Sequence, residues 1–477
     1  MPADSYSAID HAITAATPAI ERISAEVWEL AELSLEETAS AQVHVRELES
    51  AGFTITSSGT SGQPTAFIAE WEQGAGGPRI GFLPEYDALP GLGNAAVPRQ
   101  EPAANGKVSG HGCGHNLLGA GCTGAAIALK SAMEQNGAPG LVRVYGSAAE
   151  ETTGAKVYMA RDGHFADLDA CLAWHSAPIA ATGFVRTAAV NNIRVEFHGK
   201  TAHAGIDPWH GRSALDALEL FCHGLNLMRE HVKPTVRMHY VIESGGATPN
   251  VVPDYARLAL FVRDVDRDGV ESTTQWAREL AEGAAMGTQT RATFTVAFGL
   301  YDLLPNGPLI ERLYDHLQTV GVPAWTEDEQ AFARECQRNF GVPELGLIPQ
   351  PLPLIPDRTE GGSTDVGDVS WNAPTVAFLY PSFPIGVGLH TWPVTACGGM
   401  SIGLKAAVGA ATILARTAHD LMMKPELRTA VRSDFEKRRA GRAYVSPLTQ
   451  VNAAPTIAEE VAHQPKDGAD ELFEATE

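Results

Sequence analysis

Apolar and polar positions along this chain follow two rhythms. Residues 7–37 read as helix, with a break or an N-terminal turn expected near Pro18 and an acidic end, WELAELSLEE. Short runs follow: TAFIAEW (65–71), RIGFL (79–83), LVRVYG (141–146) and ACLAW (170–174). The last three are nearly continuous in apolar character, the pattern of strands covered on both faces. Helical stretches, NLLGAGCTGAAIALKSAMEQN (116–136) and TTGAKVYMARDGHF (152–165), lie between them. Strands alternating with helices predict an α/β layer with a largely parallel sheet.

From about 190 to 304 the order becomes strand, helix, strand, strand, helix, strand. Leu215, Leu218, Phe221, Cys222, Leu225 and Met228 fall on one face of the first of these helices. This βαββαβ order predicts a compact unit of its own. The first rhythm then returns, with a helix at 306–320, a Pro-rich loop QPLPLIPD, a strand at 375–380 and a long apolar helix from 401. The expected fold is α/β: a catalytic domain (1–189 and 305–425) interrupted by a smaller domain (190–304). Residues 426–477 form a C-terminal extension, read as a peripheral helix and a tail. The stretches 95–109 and 322–362 carry no readable pattern.

Composition narrows the function. A chain of 477 residues, 44% hydrophobic and 19% charged, is long enough for more than one domain. A net charge of −22 without a basic run argues against nucleic acid as a partner. No apolar run reaches the length of a membrane span, and the N-terminus lacks the features of a secretory signal, so a soluble cytoplasmic protein acting on small molecules is expected. The six cysteines are scattered singly, which suits reduced thiols.

In an open parallel sheet, ligands bind beyond the carboxyl ends of the strands. Asp87 follows the run 79–83, Glu150 and Glu151 follow 141–146, and His175 follows 170–174. HGCGHN (111–116) brings Cys113 and His115 to the same rim, and His390 in GLHTW follows strand 375–380 by one loop. Each residue alone has an ordinary explanation: a strand-end histidine is commonly a structural hydrogen-bonder, and paired glutamates commonly end a solvated loop. Together they present thiolate, imidazole and carboxylate at one edge, a donor set suited to zinc and, in its nitrogen and oxygen part, to manganese. The chemistry expected is metal-assisted hydrolysis. In an extended segment Glu150 and Glu151 would point to opposite sides, one toward metal and one toward the reacting water. A nucleophile and base pair made of Cys113 and His115 is the competing reading, with an awkward spacing.

EYDALPGLGN (85–94), GHGCGHNLLG (110–119), the AAEE pair, Trp174-His175, GKTAHAGIDPWHGRSALDAL (199–218), GGATPNVVP (245–253), STDVGDVSW (363–371) and LHTW (389–392) resemble, in order, the M20 metallopeptidase family in its amidohydrolase branch. The resemblance implies a metallo-exopeptidase-like catalytic domain holding two divalent ions (manganese or zinc) and a lid that also makes a dimer interface. Carried over by position, Cys113 would bridge both ions, His115 and His175 would complete one site, and Glu151 and His390 the other. Glu150 would be the general base and Asp87 would orient a ligand. His203 and Asn250 would reach a neighbouring subunit's site, while Arg263 and Arg212 are candidates to receive a substrate carboxylate. His111 matches no ligand position. Related peptidases carry His-x-Asp on the first strand; here that histidine position is Glu85, so His115 would replace it. The implied activity is cleavage of a small N-acyl or N-aroyl amino acid of the aminobenzoyl-glutamate kind. A dipeptidase, an aminohydrolase, and a partner subunit inactive without a related chain are the alternatives. A homodimer is expected, with a heterodimer as the second possibility.

Overall fold

The computed structural model describes residues 6–448. The first part of the catalytic domain comprises α1 (Ser7–Leu30), α2 (Thr38–Ser50), β1 (Thr54–Ser58), β2 (Phe67–Gln73), β3 (Arg79–Phe82), α3 (His115–Asn136), β4 (Gly140–Gly146), α4 (Ala155–Arg161), β5 (Ala170–Ala177) and β6 (Gly183–Arg186). The inserted domain, expected to act as a lid, comprises β7 (Ala189–His198), α5 (Ala214–Met228), β8 (Arg237–Ser244), β9 (Tyr255–Asp264), α6 (Arg267–Thr288) and β10 (Arg291–Leu300). The chain returns through α7 (Gly307–Val320), α8 (Glu327–Phe340), β11 (Ile355–Thr359), α9 (Val366–Asn372), β12 (Thr375–Pro381), α10 (Trp392–Gly398), α11 (Ser401–Met423) and α12 (Pro425–Arg439).

The six-stranded catalytic sheet runs β1-β2-β4-β3-β5-β12. Its last four strands are parallel, while β1 and β2 are antiparallel to their neighbours. Register aligns Phe82 with Val144 and Leu172, and His175 with Leu379, and β5 and β12 run on beyond the last residue of β3. A further bridge between Glu85 and Ser147 carries that alignment past the strand ends. This is where the side chains named above collect.

In the lid, the antiparallel sheet β10-β7-β9-β8 is covered by α5 and α6, with Ile193, Val195, Phe197, Leu218, Phe221 and Leu225 in its own core. Both helices start at side-chain caps: Ser213 accepts from the Asp216 amide and Asp266 from the Gly269 amide, which satisfies donors a helix start leaves free. Among the described residues no single helix is long and apolar enough to cross a membrane.

Several expectations need correction. The first helix stops at Leu30, because Ala31 turns left-handed (φ 40°), and it passes through Pro18 without a break. Pro18 lies on the exposed face, while Ile13, Ile20, Ile23 and Val27 are buried. Gly124 of α3 lets Ile20 approach so closely that a Cβ there would sit 2.3 Å from it, so packing outweighs the proline penalty. Helix α2 is an addition to the expected order of elements. The stretch 322–362 holds α8, started by a capping box between Thr326 and Glu329, and the Pro-rich loop contains the start of β11, which pairs in parallel with β6. The C-terminal extension begins with α12, anchored by Val431 and Phe435; the rest of that expectation, from residue 449, lies outside the described residues.

Candidate metal centre

The HGCGHN turn exists because two glycines allow it. Gly114 caps α3 at φ 78°, and a Cβ there would meet the Ser176 hydroxyl at 2.4 Å. The helix therefore begins at His115, against the end of β5. A Cβ on Gly112 would lie 2.3 Å from the Leu92 side chain, and the Gly112 carbonyl accepts from the His390 amide at 2.8 Å. The two loops that carry Cys113 and His390 are thereby joined.

Three donor groups result: Glu85, His115 and Glu150 form one, and the other two share the Cys113 sulfur. Of these two, Cys113, His115 and His175 form the first; Cys113, Glu151 and His390 form the second; within each, the ligand atoms lie within 4.8 Å of one another. Cys113 Sγ is 3.4 Å from His175 Nε2, and His390 Nε2 is 3.3 Å from Glu151 Oε1. His175 Nδ1 donates to the Ser176 carbonyl at 2.8 Å, and His115 Nδ1 donates to Asp87 Oδ1 at 2.8 Å, so each ring keeps Nε2 free as a ligand. The buried His115 Nε2 and Glu151 Oε1 have no hydrogen-bond partner. Lone pairs buried in this way are costly unless something takes them, and a thiol, three imidazoles and a carboxylate are the donors a divalent transition ion takes. The residues fit such ions.

The surrounding carboxylates differ in their tasks. Asp87 Oδ2 accepts from Ser34 Oγ and from the Glu151 amide, both at 3.0 Å, so one carboxylate orients both an imidazole and the turn that follows β4. Burial raises the Asp87 carboxyl, but the charge and hydrogen bond of His115 outweigh it and hold the group low. Burial pushes Glu150 well above the carboxylate range, and the charges of Glu85 and Asp365 add to it. Glu150 Oε1 accepts from Thr364 Oγ1 at 3.2 Å. Burial also pushes the Cys113 thiol up, which makes a free thiolate unfavourable there. Glu150 and Glu151 are not in an extended segment as expected: Ala149 turns left-handed (φ 53°), and the Thr152 and Gly154 amides both return to its carbonyl.

The structure gathers Asp87, Cys113, His115, Glu150, Glu151, His175 and His390. His111 points elsewhere, donating from Nε2 to the Val27 carbonyl at 2.9 Å. His203 and Asn250 lie exposed in the lid, and neither lines the cavity beside the donor groups. Arg263 does not line it either; it donates to Ser363 Oγ at 2.8 Å, and Ser363 does line it. Arg212 binds Gln289 and nearby carbonyls in the lid. That cavity, of about 540 Å³, runs from Cys113, Glu150 and His175 along apolar side chains including Ile310, Ile355, Val376 and Phe378. Sequence reasoning misses one buried cluster: Lys156 Nζ binds Glu85 Oε1 at 2.6 Å and Asp365 Oδ1 at 2.7 Å, while Glu85 Oε2 stays without a hydrogen bond 3.4 Å from His115 Nε2. A lysine inside an apolar run is its signal, since buried lysine requires a partner.

A largely parallel sheet whose strand ends gather donor groups around a shared thiol, with an antiparallel domain inserted between its halves, is the arrangement of a candidate metal centre under a covering domain. Residues 189–287 match the M20 peptidase dimerisation domain. The chain is 36% identical to a subunit of the p-aminobenzoyl-glutamate hydrolase of Escherichia coli (strain K12), over 94% of this chain and 98% of that protein. It is 30% identical to Xaa-Arg dipeptidase of Mus musculus, over 87% and 88% of the two. A dinuclear metal-binding M20 peptidase from Bacillus subtilis has the same fold, with a TM-score of 0.58 at 19% identity, covering 86% of this chain and 99% of that one. The protein belongs to the M20 peptidase family, and it is an amidohydrolase of that family.

Proposed function

We propose that this protein hydrolyses the amide bond of a small N-acyl or N-aroyl amino acid, with aminobenzoyl-glutamate as the reference substrate, at a centre of two divalent cations, manganese or zinc. The observation that carries the reading is the pair of donor groups sharing Cys113. In this reading His115 and His175 would hold one ion, Glu151 and His390 would hold the other, and Cys113 would serve both. Ions bound there supply Lewis acidity, polarising the scissile carbonyl and lowering the pKa of a water to roughly 7. Glu150, fixed by Thr364, takes a proton from the attacking water and delivers it to the leaving nitrogen as the C–N bond breaks. Asp87 keeps His115 in the tautomer that leaves Nε2 available. The apolar side of the cavity receives the acyl or aroyl group, and Arg263 reaches the substrate carboxylate past Ser363.

The reading includes a dimer made through the lid, in which His203 and Asn250 approach the partner's site. Exposed Leu220 and Leu227 on α5, with Val241 and Ile242 on the edge strand β8, supply an apolar surface for it. It also includes a cytoplasmic location, supported by six cysteines that are all free and buried.

A second reading has one observation in its favour. No lysine or arginine is among the described residues lining the cavity, whereas Glu360 lines it in addition to the glutamates of the donor groups, which suits a dipeptide with a basic side chain. Assaying the purified single chain, loaded with manganese or zinc, on aroyl-glutamates, acyl amino acids and Xaa-Arg dipeptides separates the two. Silence on all of them at full metal occupancy would favour a subunit that needs a related chain. Glu150→Ala is expected to keep two ions and lose about 10²–10⁴-fold in kcat; undiminished turnover would remove Glu150 from the mechanism.

A further inference from the structure

The turn that presents Glu150 and Glu151 is held from behind by a residue with no assigned role. Ala149, immediately before the pair, sits at φ 53°, a region that L-residues other than Asn and Asp avoid. Something must keep it there. Its amide donates to Glu37 Oε1 at 2.8 Å, and Thr65 Oγ1 donates to Glu37 Oε2 at 2.6 Å. Glu37 is fully buried. It stands at the start of α2, where a side chain would ordinarily cap its own helix, yet it makes no such bond and reaches instead to a turn 112 residues away. From the other side, Asp87 holds the Glu151 amide. The two carboxyl groups thus clamp consecutive parts of one turn.

We propose that Glu37 is a positioning residue: by holding the Ala149 amide it keeps the turn left-handed and aims the carboxylates of Glu150 and Glu151 at the donor groups. The inference rests on the reading in which those two residues carry the chemistry. It does not depend on the charge of Glu37. Burial, with the charge of Asp87, pushes that carboxyl up to about 8, but the Thr65 hydroxyl can either donate or accept, so Oε1 stays available to Ala149 in both forms. An amide at position 37 would do the same work.

This sets the test, read as kcat and KM at full metal occupancy and corrected for the folded fraction from thermal melts. Glu37→Ala is expected to lower kcat about 10- to 100-fold with KM within about twofold, the scale of a misplaced catalytic group. Glu37→Gln, which keeps a carbonyl acceptor, is expected within about threefold of the parent protein. Adding Ala149→Gly to Glu37→Ala is expected to recover at least about threefold, because glycine enters the left-handed region without a clamp. Should Glu37→Ala fail to fold, Thr65→Val removes the partner of Glu37 and is expected to lower kcat by about threefold or more. Unchanged kcat in Glu37→Ala or in Thr65→Val, a loss explained entirely by unfolding, or Glu37→Gln as poor as Glu37→Ala would overturn the inference. Glu150→Ala run alongside separates the two failures: if it is inactive while Glu37→Ala is not, only this inference falls; if it turns over normally, the reading falls and takes the inference with it.

Discussion

Two of the buried clusters of ionisable side chains in the catalytic domain are built on opposite principles. Around Asp420 on α11, every lone pair is taken: Tyr6 donates to both oxygens at 3.1 and 3.0 Å, His316 lies at 2.9 Å, Lys424 at 2.6 Å, and Arg312 completes the set. Although burial acts to raise it, these partners pull the Asp420 carboxyl far below its usual range. At the strand ends the reverse holds. His115 Nε2, Glu151 Oε1 and Glu85 Oε2 are buried without a hydrogen bond, and Glu150 is pushed up rather than down. A saturated cluster ties α1, α7 and α11 together and needs nothing more, whereas an unsaturated one costs stability unless a ligand completes it. Perturbed groups mark both places, and single unpartnered atoms also occur elsewhere, at His44, Gln63, His111 and His419, so what marks the strand ends is several such atoms gathered on ligand-type side chains.

The largest effect that would break this contrast is the loss of the atom shared by two donor groups. Cys113→Ala is expected to abolish binding of the second ion and to lower turnover by at least the 10²–10⁴-fold, roughly, expected for Glu150→Ala. Removing only an orienting partner, as in Asp87→Ala, should weaken metal binding by about 10- to 100-fold. Metal content after dialysis and titration with manganese or zinc measure both. If Cys113→Ala holds two ions as tightly as the parent protein, the shared-thiol geometry has no role.

Next in size is Asp420→Asn, which should touch stability alone. It strips charge from a site where Arg312, Lys424 and His316 are already committed, and breaking a buried pair from one side costs about 3 kcal/mol. Chemical denaturation should show that loss, while kcat of the folded enzyme stays within about twofold. The pH dependence has a definite sign. The folded pKa lies below the unfolded value of 3.8, so the stabilisation is complete above that value and disappears as pH falls through the folded pKa. The difference between Asp420→Asn and the parent should therefore be flat through neutral pH and shrink only under acid conditions. A difference that changes between pH 6 and 8 would mean that another group controls the cluster.

Much of the contrast is legible in the sequence. Asp87, Glu150, Glu151 and His175 each follow an apolar run, and strand-end position alone brings them to one rim. What sequence order does not provide is the conformation between Ala148 and Glu151. An extended segment is the default for a chain leaving a strand, and the left-handed Ala149 depends on Glu37, at the start of a helix that the apolar pattern leaves faint. Helix α2 nevertheless carries a usable signal, since Ala41, Val43, His44, Glu47 and Leu48 are buried at spacings of three and four. So does α8, where Thr326 and Glu329 make the T-x-x-E signature of a helix start. The Lys156 pairs with Glu85 and Asp365 join positions 71 and 209 residues apart, which no local periodicity encodes.

The finest cut between the two kinds of burial runs through the HGCGHN turn itself. His111 is two residues from Cys113 and as deeply buried, yet its ring faces α1 and donates to the Val27 carbonyl, and burial lowers its pKa to about 4. Val27 also accepts from the Ala31 amide, so the carbonyl keeps a partner when the ring is removed. His111→Leu should therefore cost only about 1 kcal/mol, the net worth of one hydrogen bond, and leave two ions and kcat unchanged. Loss of an ion in His111→Leu would place this histidine on the wrong side of the division, and the contrast between filled and unfilled clusters would have to be redrawn around three imidazoles in one turn and strand end rather than two.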